Sequence, residues 1–125
     1  MPSNFEYFYG GEAEQFTFFR IPKVLFSDKR FQNMSTDAKL LYSLMLDRMS
    51  LSVKNRWFDE ENRVYIIYTL DDIIDDFGCA RQKAAKLLDE LDKNVGLIER
   101  KRQGLGKPKY VNQTCRNMKI KLQEI

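Results

Sequence analysis

The sequence of 125 residues contains no histidine and only two cysteines, Cys79 and Cys115. Those two cysteines lie far apart, so the sequence lacks the ligand spacing of a zinc site. Without histidine it also lacks a Ser–His–Asp set, and it contains no glycine-rich phosphate loop. We therefore expect no metal, no cofactor and no enzymatic activity, and we expect reduced cysteines in a cytoplasmic protein.

Long apolar runs are absent as well. No stretch approaches the roughly 18 apolar residues of a membrane-spanning helix, and no basic residue precedes an apolar stretch at the N-terminus, as in a signal peptide. A chain that is 43% hydrophobic has enough apolar side chains for one domain with a single core. The acidic run at 71–76 has the spacing of one solvated helical face, which we favour over a metal or catalytic site.

The charge is unevenly distributed, although the net charge is only +3. Residues 96–125 carry eight basic and two acidic side chains, whereas residues 53–95 carry seven basic and ten acidic ones. A basic C-terminal segment on an otherwise nearly neutral chain is typical of a protein that binds a polyanion.

Three helices are predicted from caps and apolar periodicity. The first spans about 35–51 behind a Ser-Thr-Asp cap, and it is apolar round more than half its circumference. A helix of that kind is central in the core or shared with a partner. The second follows a capping box of Thr69 and Asp72 and stops at Gly78. The third spans 80–93, with its apolar residues on one stripe.

Strands are predicted at 64–68 and in a hairpin of 97–103 and 109–114 with a glycine-rich tip, and 118–122 is a possible edge strand. A short glycine-containing turn between two helices, followed by a hairpin, predicts a mainly helical α+β fold: a winged helix-turn-helix with a C-terminal β-hairpin wing. We divide the chain into an aromatic arm at 1–15, this domain at 16–114, and a tail or edge strand at 115–125.

The start of the third helix is the predicted binding surface. With its apolar stripe turned inward, four polar side chains point outward near its N-terminus: Arg81, Gln82, Lys83 and Lys86. Arginine suits guanine, glutamine suits adenine, and lysine suits bases or phosphates in double-stranded DNA. The alternative is an ordinary solvated face, since the second half of the helix is acidic. Lys86 with Glu90, and Asp89 with Lys93, have the spacing of helical ion pairs.

The hairpin supplies a second group of cations. Arg100, Lys101 and Arg102 lie on one predicted strand, and Lys107 and Lys109 flank Pro108 on the return. A wing that follows the DNA backbone needs such charges. The alternative is a charged edge strand that resists aggregation.

The N-terminal quarter is rich in aromatic residues. Nine of the sixteen aromatic side chains lie in residues 1–34, and the run 16–21 has strand-like composition. A disordered tail is poor in such residues. We expect part of this arm to bury its rings, either on its own core or on a second copy of the chain.

Four segments together resemble a known family. They are FFRIPKVLF (18–26), LSVKNRWFDEENRVYIIYTLDDI (51–73), RQKAAKLLDEL (81–91) and GLIERKRQGLGKP (96–108). They resemble the N-terminal domain of RepA_N-type replication initiators from plasmids and integrative elements of Gram-positive bacteria. The resemblance spans roughly 16–110.

The resemblance implies a winged-helix domain, commonly dimeric, that binds repeats in a replication origin so that host replication factors assemble there. It matches Arg81, Gln82, Lys83 and Lys86 to the recognition helix, and it matches Arg100, Arg102 and Lys107 to the wing. Members of the family carry a further C-terminal domain, so we expect an isolated fragment or a short stand-alone variant.

Three functions remain open from the residues alone. The first is sequence-specific binding of double-stranded DNA in a plasmid-type replication initiator. The second is a small winged-helix transcriptional regulator, which would bind DNA in the same way. The third is a winged helix used only for protein–protein assembly.

Overall fold

The computed structural model describes residues 4–56, 58, 61–102 and 111–115, with the backbone alone at 13, 52, 101, 102 and 111–115. These described residues form four α-helices and three strands: α1 (Val24–Ser27), α2 (Thr36–Lys54), β1 (Tyr65–Ile67), α3 (Leu70–Phe77), α4 (Arg81–Asp89), β2 (Ile98–Arg102) and β3 (Val111–Cys115). A π-helical turn, Glu90–Val95, continues α4, and short 3-10 helices cover Glu12–Gln15 and Lys29–Phe31. No helix in the described ranges is long and apolar enough to cross a membrane.

Helix α2 is the centre of the core. The Ser35 hydroxyl accepts a hydrogen bond from the Ala38 N–H at 3.1 Å, which caps the first turn as the sequence predicts. Leu41, Tyr42 and Met45 are fully or almost fully buried along its inner face. The predicted central helix is therefore confirmed, and it extends three residues beyond the predicted end.

Helices α3 and α4 form the predicted pair with a tight turn. Thr69 and Asp72 complete the capping box, with both hydrogen bonds at 3.0 Å. Gly78 ends α3 at φ +62°, a left-handed conformation that glycine adopts without the steric penalty of a Cβ. Ile73 of α3 and Ala84 of α4 are both 0% exposed, so the two helices share one core.

The end of α4 differs from the prediction of one continuous α-helix over 80–93. The α-helix ends at Asp89, and the chain continues as the π-helical turn to Gly96, whose φ is +80°. The Leu91 carbonyl accepts hydrogen bonds from the N–H groups of both Gly96 and Leu97, at 3.0 and 2.9 Å. The burial of Leu91 agrees with the predicted apolar stripe, whereas the wider turn and the burial of Leu97 beyond it do not follow from an apolar periodicity of 3.6 residues.

The strands form one antiparallel sheet in the order β1-β3-β2. The register pairs Ile98 with Cys115 and Arg102 with Val111, so the predicted hairpin is confirmed to within two residues. The addition of β1 as a third strand, with Ile66 opposite Gln113, was not predicted. The predicted hairpin tip and the possible strand at 118–122 lie outside the described residues.

Most of the aromatic side chains at 1–34 do not pack on the chain's own core, so one of the two expectations holds for a single ring only. Of the nine aromatic side chains in residues 1–34, only Phe31 is buried, and Phe5 and Tyr7 are almost fully exposed. Phe16 makes edge contacts with Phe8 and Phe18, at centroid distances of 5.9 and 6.2 Å. The run at 16–21 forms no strand. Rings that contact mainly each other lack the apolar neighbours that bury a side chain, and packing on a second copy stays a prediction.

Candidate DNA-binding interface

The start of α4 exposes a compact polar surface. Ala84, Leu87 and Leu88 turn into the core, and helical geometry then directs the intervening side chains outward. All four predicted recognition residues, Arg81, Gln82, Lys83 and Lys86, are exposed. The structure thus brings them together on one face, which we call the recognition face.

The helix terminus adds to the positive potential of this face. The residue before α4, Ala80, has no side chain that could cap the first turn, and no acidic residue lies in that turn. Within the described residues, the first backbone N–H groups of α4 therefore have no capping side chain, and they lie next to Arg81 and Lys83. An anion that approaches the recognition face meets these groups together with the side-chain charges.

Two carboxylates contact the recognition face from neighbouring helices. Arg81 donates to Asp71 of α3 at 2.9 Å, and Lys83 lies 2.8 Å from Asp37 of α2. The hydrogen bond and charge of Asp37 raise the pKa of Lys83. Because both pairs are at least 40% exposed, water screens them and their net stabilisation is small. DNA can therefore displace these carboxylates at little cost.

Gln82 and Lys86 complete the face without such contacts. Among the described residues, neither side chain has a hydrogen-bond or ion-pair partner. The predicted pair of Lys86 with Glu90 does not form, because Glu90 instead accepts hydrogen bonds from the Ser35 N–H and hydroxyl at 2.7 and 2.8 Å. The predicted Asp89–Lys93 pair is present at 3.8 Å.

The predicted wing cations have different surroundings. Arg100 donates to Asp89 at 2.7 Å and to Asp92 at 2.9 Å, and its side chain is only 21% exposed. The hydrogen bond from Arg100 lowers the pKa of Asp89. The side chains of Lys101 and Arg102 are not described, and Lys107 and Lys109 lie outside the described residues. Their contacts with DNA stay predictions.

The acidic run of α3 is mostly the solvated face that its spacing predicts. Asp71, Asp75 and Asp76 are exposed, and Asp72, which caps the helix and lies 3.7 Å from Arg48, is partly exposed. Asp76 accepts a hydrogen bond from the Tyr68 hydroxyl. Within the described residues, no group of three acidic or cysteine side chains is placed to hold a metal ion.

Sequence reasoning missed the acidic partners of the recognition face, Asp37 and Asp71. Their pairs join residues 46 and 10 positions apart, across different helices. Spacing within one helix reveals only pairs three or four residues apart. The one available signal was the capping box, which fixes where α3 begins and hence that Asp71 lies in its first turn.

Helix α3, the turn at Gly78, α4 and the antiparallel strands β2 and β3 define a winged helix-turn-helix domain. Comparison with known proteins gives the family. The model of the family "Replication initiator protein A (RepA) N-terminus" matches residues 17–123. The chain belongs to this family.

Relatives of known sequence and structure agree with that assignment. A "41 kDa protein" of Lactobacillus helveticus is 30% identical over 87 residues, which cover 70% of this chain and 24% of that protein. The chain therefore spans about a quarter of the length of this relative.

Three solved structures are similar over nearly their whole length. An "N-Terminal domain of DNA binding protein" is 31% identical with a TM-score of 0.69, covering 97% of this chain and 96% of that one. A "Structure of Rep-DNA complex" is 32% identical with a TM-score of 0.69, covering 95% of both chains. A "Structure of MDR initiator" is 30% identical with a TM-score of 0.67, covering 96% of this chain and 99% of that one.

Proposed function

We propose that this chain binds double-stranded DNA sequence-specifically, as the DNA-binding domain of a plasmid-type replication initiator. The observation that carries the proposal is the recognition face: four exposed polar side chains at the N-terminal end of α4, in the second helix of a helix-turn-helix. The similarity to a chain solved as a Rep–DNA complex, and the match to the initiator family, support it.

The chemistry of the face suits the major groove. Arg81 has a guanidinium fork that pairs with the O6 and N7 atoms of guanine, and the Gln82 amide pairs with adenine. Lys83 and Lys86 supply charge for phosphates or base edges. The basic residues of the hairpin, Lys101 through Lys109, extend the contact along the backbone. This is a binding function without catalytic chemistry, exercised in the cytoplasm.

Selection of bound sequences from a random duplex pool tests the proposal directly. We expect a defined sequence to be enriched, and a footprint on its parent plasmid to cover repeats at the origin. Protection of a promoter palindrome alone would favour the transcriptional regulator. Absence of binding to any duplex at low salt would refute DNA binding and favour a protein-assembly role.

A matched pair of variants locates the interface on one helix. Lys86→Ala removes a cation from the recognition face, and Lys93→Ala removes a cation from the opposite end, where its side chain is 69% exposed. We expect the first to reduce the slope of log Kd against log salt by about one unit, and the second to leave it unchanged. Equal slopes for the two variants would place the interface elsewhere.

We further propose that the chain forms a homodimer through its aromatic arm and that the initiator recruits host replication factors. Exposed rings support the dimer: Phe5, Tyr7, Phe8 and Tyr9 in the arm, and Phe16 and Phe19 directly after it. A groove of about 580 Å³ is lined by Phe18, Ile21 and Leu46, among others. Exposed apolar area of this kind favours association.

Sedimentation equilibrium at micromolar concentration measures the association. We expect a mass of twice 14.9 kDa for the wild type and a shift toward the monomer for the double variant Phe8→Ala, Phe16→Ala. A wild-type mass near 14.9 kDa would refute a stable dimer.

A further inference from the structure

Arg100 forms the most enclosed ionic contact near the proposed interface. Its Nη2 atom lies 2.7 Å from Asp89, at the end of α4, and its Nε atom lies 2.9 Å from Asp92, in the π-helical turn. One guanidinium therefore joins strand β2 to two positions on the chain that continues the recognition helix. We call this contact the wing clamp.

The segment that the clamp holds is also attached on its other side. Glu90 accepts hydrogen bonds from the N-terminal cap of α2, Ser35, at 2.7 and 2.8 Å. Between these two polar contacts, Leu91 is 0% exposed in the core. The end of α4 is thus joined to α2, to the core and to the wing strand within four consecutive residues.

These contacts make Arg100 unlike the cations of the recognition face. The Arg81 side chain is 63% exposed and donates to one exposed carboxylate, whereas Arg100 is 21% exposed and donates to two. To reach a phosphate, Arg100 would have to leave both Asp89 and Asp92 without their donor, close to a second negative charge. That exchange is unfavourable because two charge-assisted hydrogen bonds are lost and the Arg100 side chain is only 21% exposed.

We propose that Arg100 is a positioning residue: it sets the orientation of the wing strands relative to the recognition helix, and it does not contact a phosphate. This assignment rests on the proposed DNA-binding function and replaces the contact role that the sequence suggests for Arg100. A winged helix binds with two elements at once, so their relative orientation decides whether both reach the duplex.

The direction in which Asp92→Asn changes the affinity for DNA distinguishes a positioning role of Arg100 from a phosphate contact. Asp92→Asn removes a negative charge near the DNA, which by itself strengthens attraction to a polyanion. If the clamp orients the wing, the same variant instead weakens binding to the selected duplex, by about 3- to 30-fold, as residues without ligand contact do when they couple elements. We expect Arg100→Gln to weaken binding by a similar factor, and the double variant to be no worse than either single one.

Salt dependence gives a second readout. Fluorescence anisotropy of the selected duplex over a range of salt concentrations gives the slope of log Kd for each variant. We expect Arg100→Gln to keep the wild-type slope on random duplex, where Lys86→Gln, our positive control, loses about one unit. Arg100→Lys retains the charge and can reach one carboxylate, so we expect it to restore part of the affinity for the selected duplex.

The outcomes distinguish a failure of the positioning role from a failure of the proposed function. Suppose that the wild type binds the selected duplex. If Asp92→Asn then binds it as tightly or more tightly, and Arg100→Gln loses a unit of salt slope, Arg100 contacts phosphate and the proposed positioning role is wrong. If the wild type binds no duplex at low salt, the proposed function fails first, and the positioning role fails with it. Circular dichroism and urea unfolding of each variant confirm that the comparison is made between folded proteins, and if Arg100→Gln does not fold, the affinity of Asp92→Asn for the selected duplex decides between the two roles.

Discussion

The two ends of α4 and its continuation are built differently, although they lie within one stretch of fifteen residues. At the first end, the side chains of Arg81, Gln82, Lys83 and Lys86 are exposed, and the two ion pairs there are open to solvent. At the second end, from Asp89 to Val95, the three acidic side chains accept hydrogen bonds from Ser35 or Arg100, and Leu91 is buried.

This difference shows how one helix can be held firmly in the fold at one end and present a binding surface at the other. The buried Leu91 and the part-buried hydrogen bonds of Arg100 hold the second end in place, so that the charges at the first end need no structural role. Exposed ion pairs are weak and exchange readily with another anion. A binding helix therefore keeps its strong contacts away from the surface that must change partners.

The largest effect should follow from damage to the anchoring end. Leu91→Ala removes a fully buried side chain, and we expect it to lower the free energy of unfolding by about 2–5 kcal/mol. Urea unfolding followed by circular dichroism measures this change. Lys93→Ala, two residues away but exposed, is the control, for which we expect a change within about 0.5 kcal/mol. Similar losses for both would mean that this end is not the anchor.

At the binding end, Arg81→Ala should act on recognition and not on folding. We expect it to weaken binding to the selected duplex by about 1–3 kcal/mol, with a smaller loss on random duplex, because a base contact is lost. Titration of both duplexes with the same protein preparation measures the difference. Equal losses on the two duplexes would show that Arg81 contributes charge alone.

Local signals in the sequence predicted most of the features of helices α3 and α4. The Thr69 cap, the Gly78 stop and the spacing of Ala84, Leu87 and Leu88 depend only on neighbouring residues, so they placed α3, α4 and the exposed face correctly. The family resemblance then assigned both the recognition helix and the wing to DNA binding.

What the sequence did not predict depends on contacts between elements. The π-helical turn leads into the buried Leu97 and strand β2, and β1 pairs with a strand almost fifty residues away. Aromatic composition predicted burial of the arm, but it could not tell a ring packed on its own core from one left exposed. The pairs of Arg81 and Arg100 with aspartates likewise become visible only once the helices and strands are placed.

The anchoring end should also respond to acid. The Arg100 hydrogen bond lowers the pKa of Asp89 from its usual value of 3.8, so the folded state binds this proton less readily than the unfolded chain does. The contribution of Asp89 to stability is present above pH 3.8 and is lost as the pH falls through the lower, folded pKa. We expect Asp89→Asn to flatten the decline of stability below about pH 4 relative to the wild type.

Urea unfolding at a series of acidic pH values measures that decline. Asp75→Asn is the matched control, because Asp75 is exposed on α3 and has no side-chain partner among the described residues. An identical pH profile for wild type and Asp89→Asn would show that the Arg100 contact does not contribute to stability.

The smallest effect concerns the carboxylate that faces Arg81. Asp71→Asn removes an exposed ion pair, so we expect the free energy of unfolding to change by no more than about 1 kcal/mol. Binding should respond in a specific way: the affinity for random duplex rises about two- to threefold, because a negative charge beside the recognition face is gone. The affinity for the selected duplex rises less, because Arg81 loses the partner that orients its guanidinium at 2.9 Å.

Asp75→Asn again provides the control for that comparison, since it makes the same change of charge on the same helix one turn further along. If Asp71 orients Arg81, only Asp71→Asn reduces the difference in affinity between the selected and the random duplex. If the two variants raise both affinities alike, Asp71 acts through net charge alone, and the exposed pairs of the binding end do not contribute to sequence preference. The first result would sharpen the contrast between the two ends: an exposed ion pair that adds little to stability would still orient a side chain for recognition.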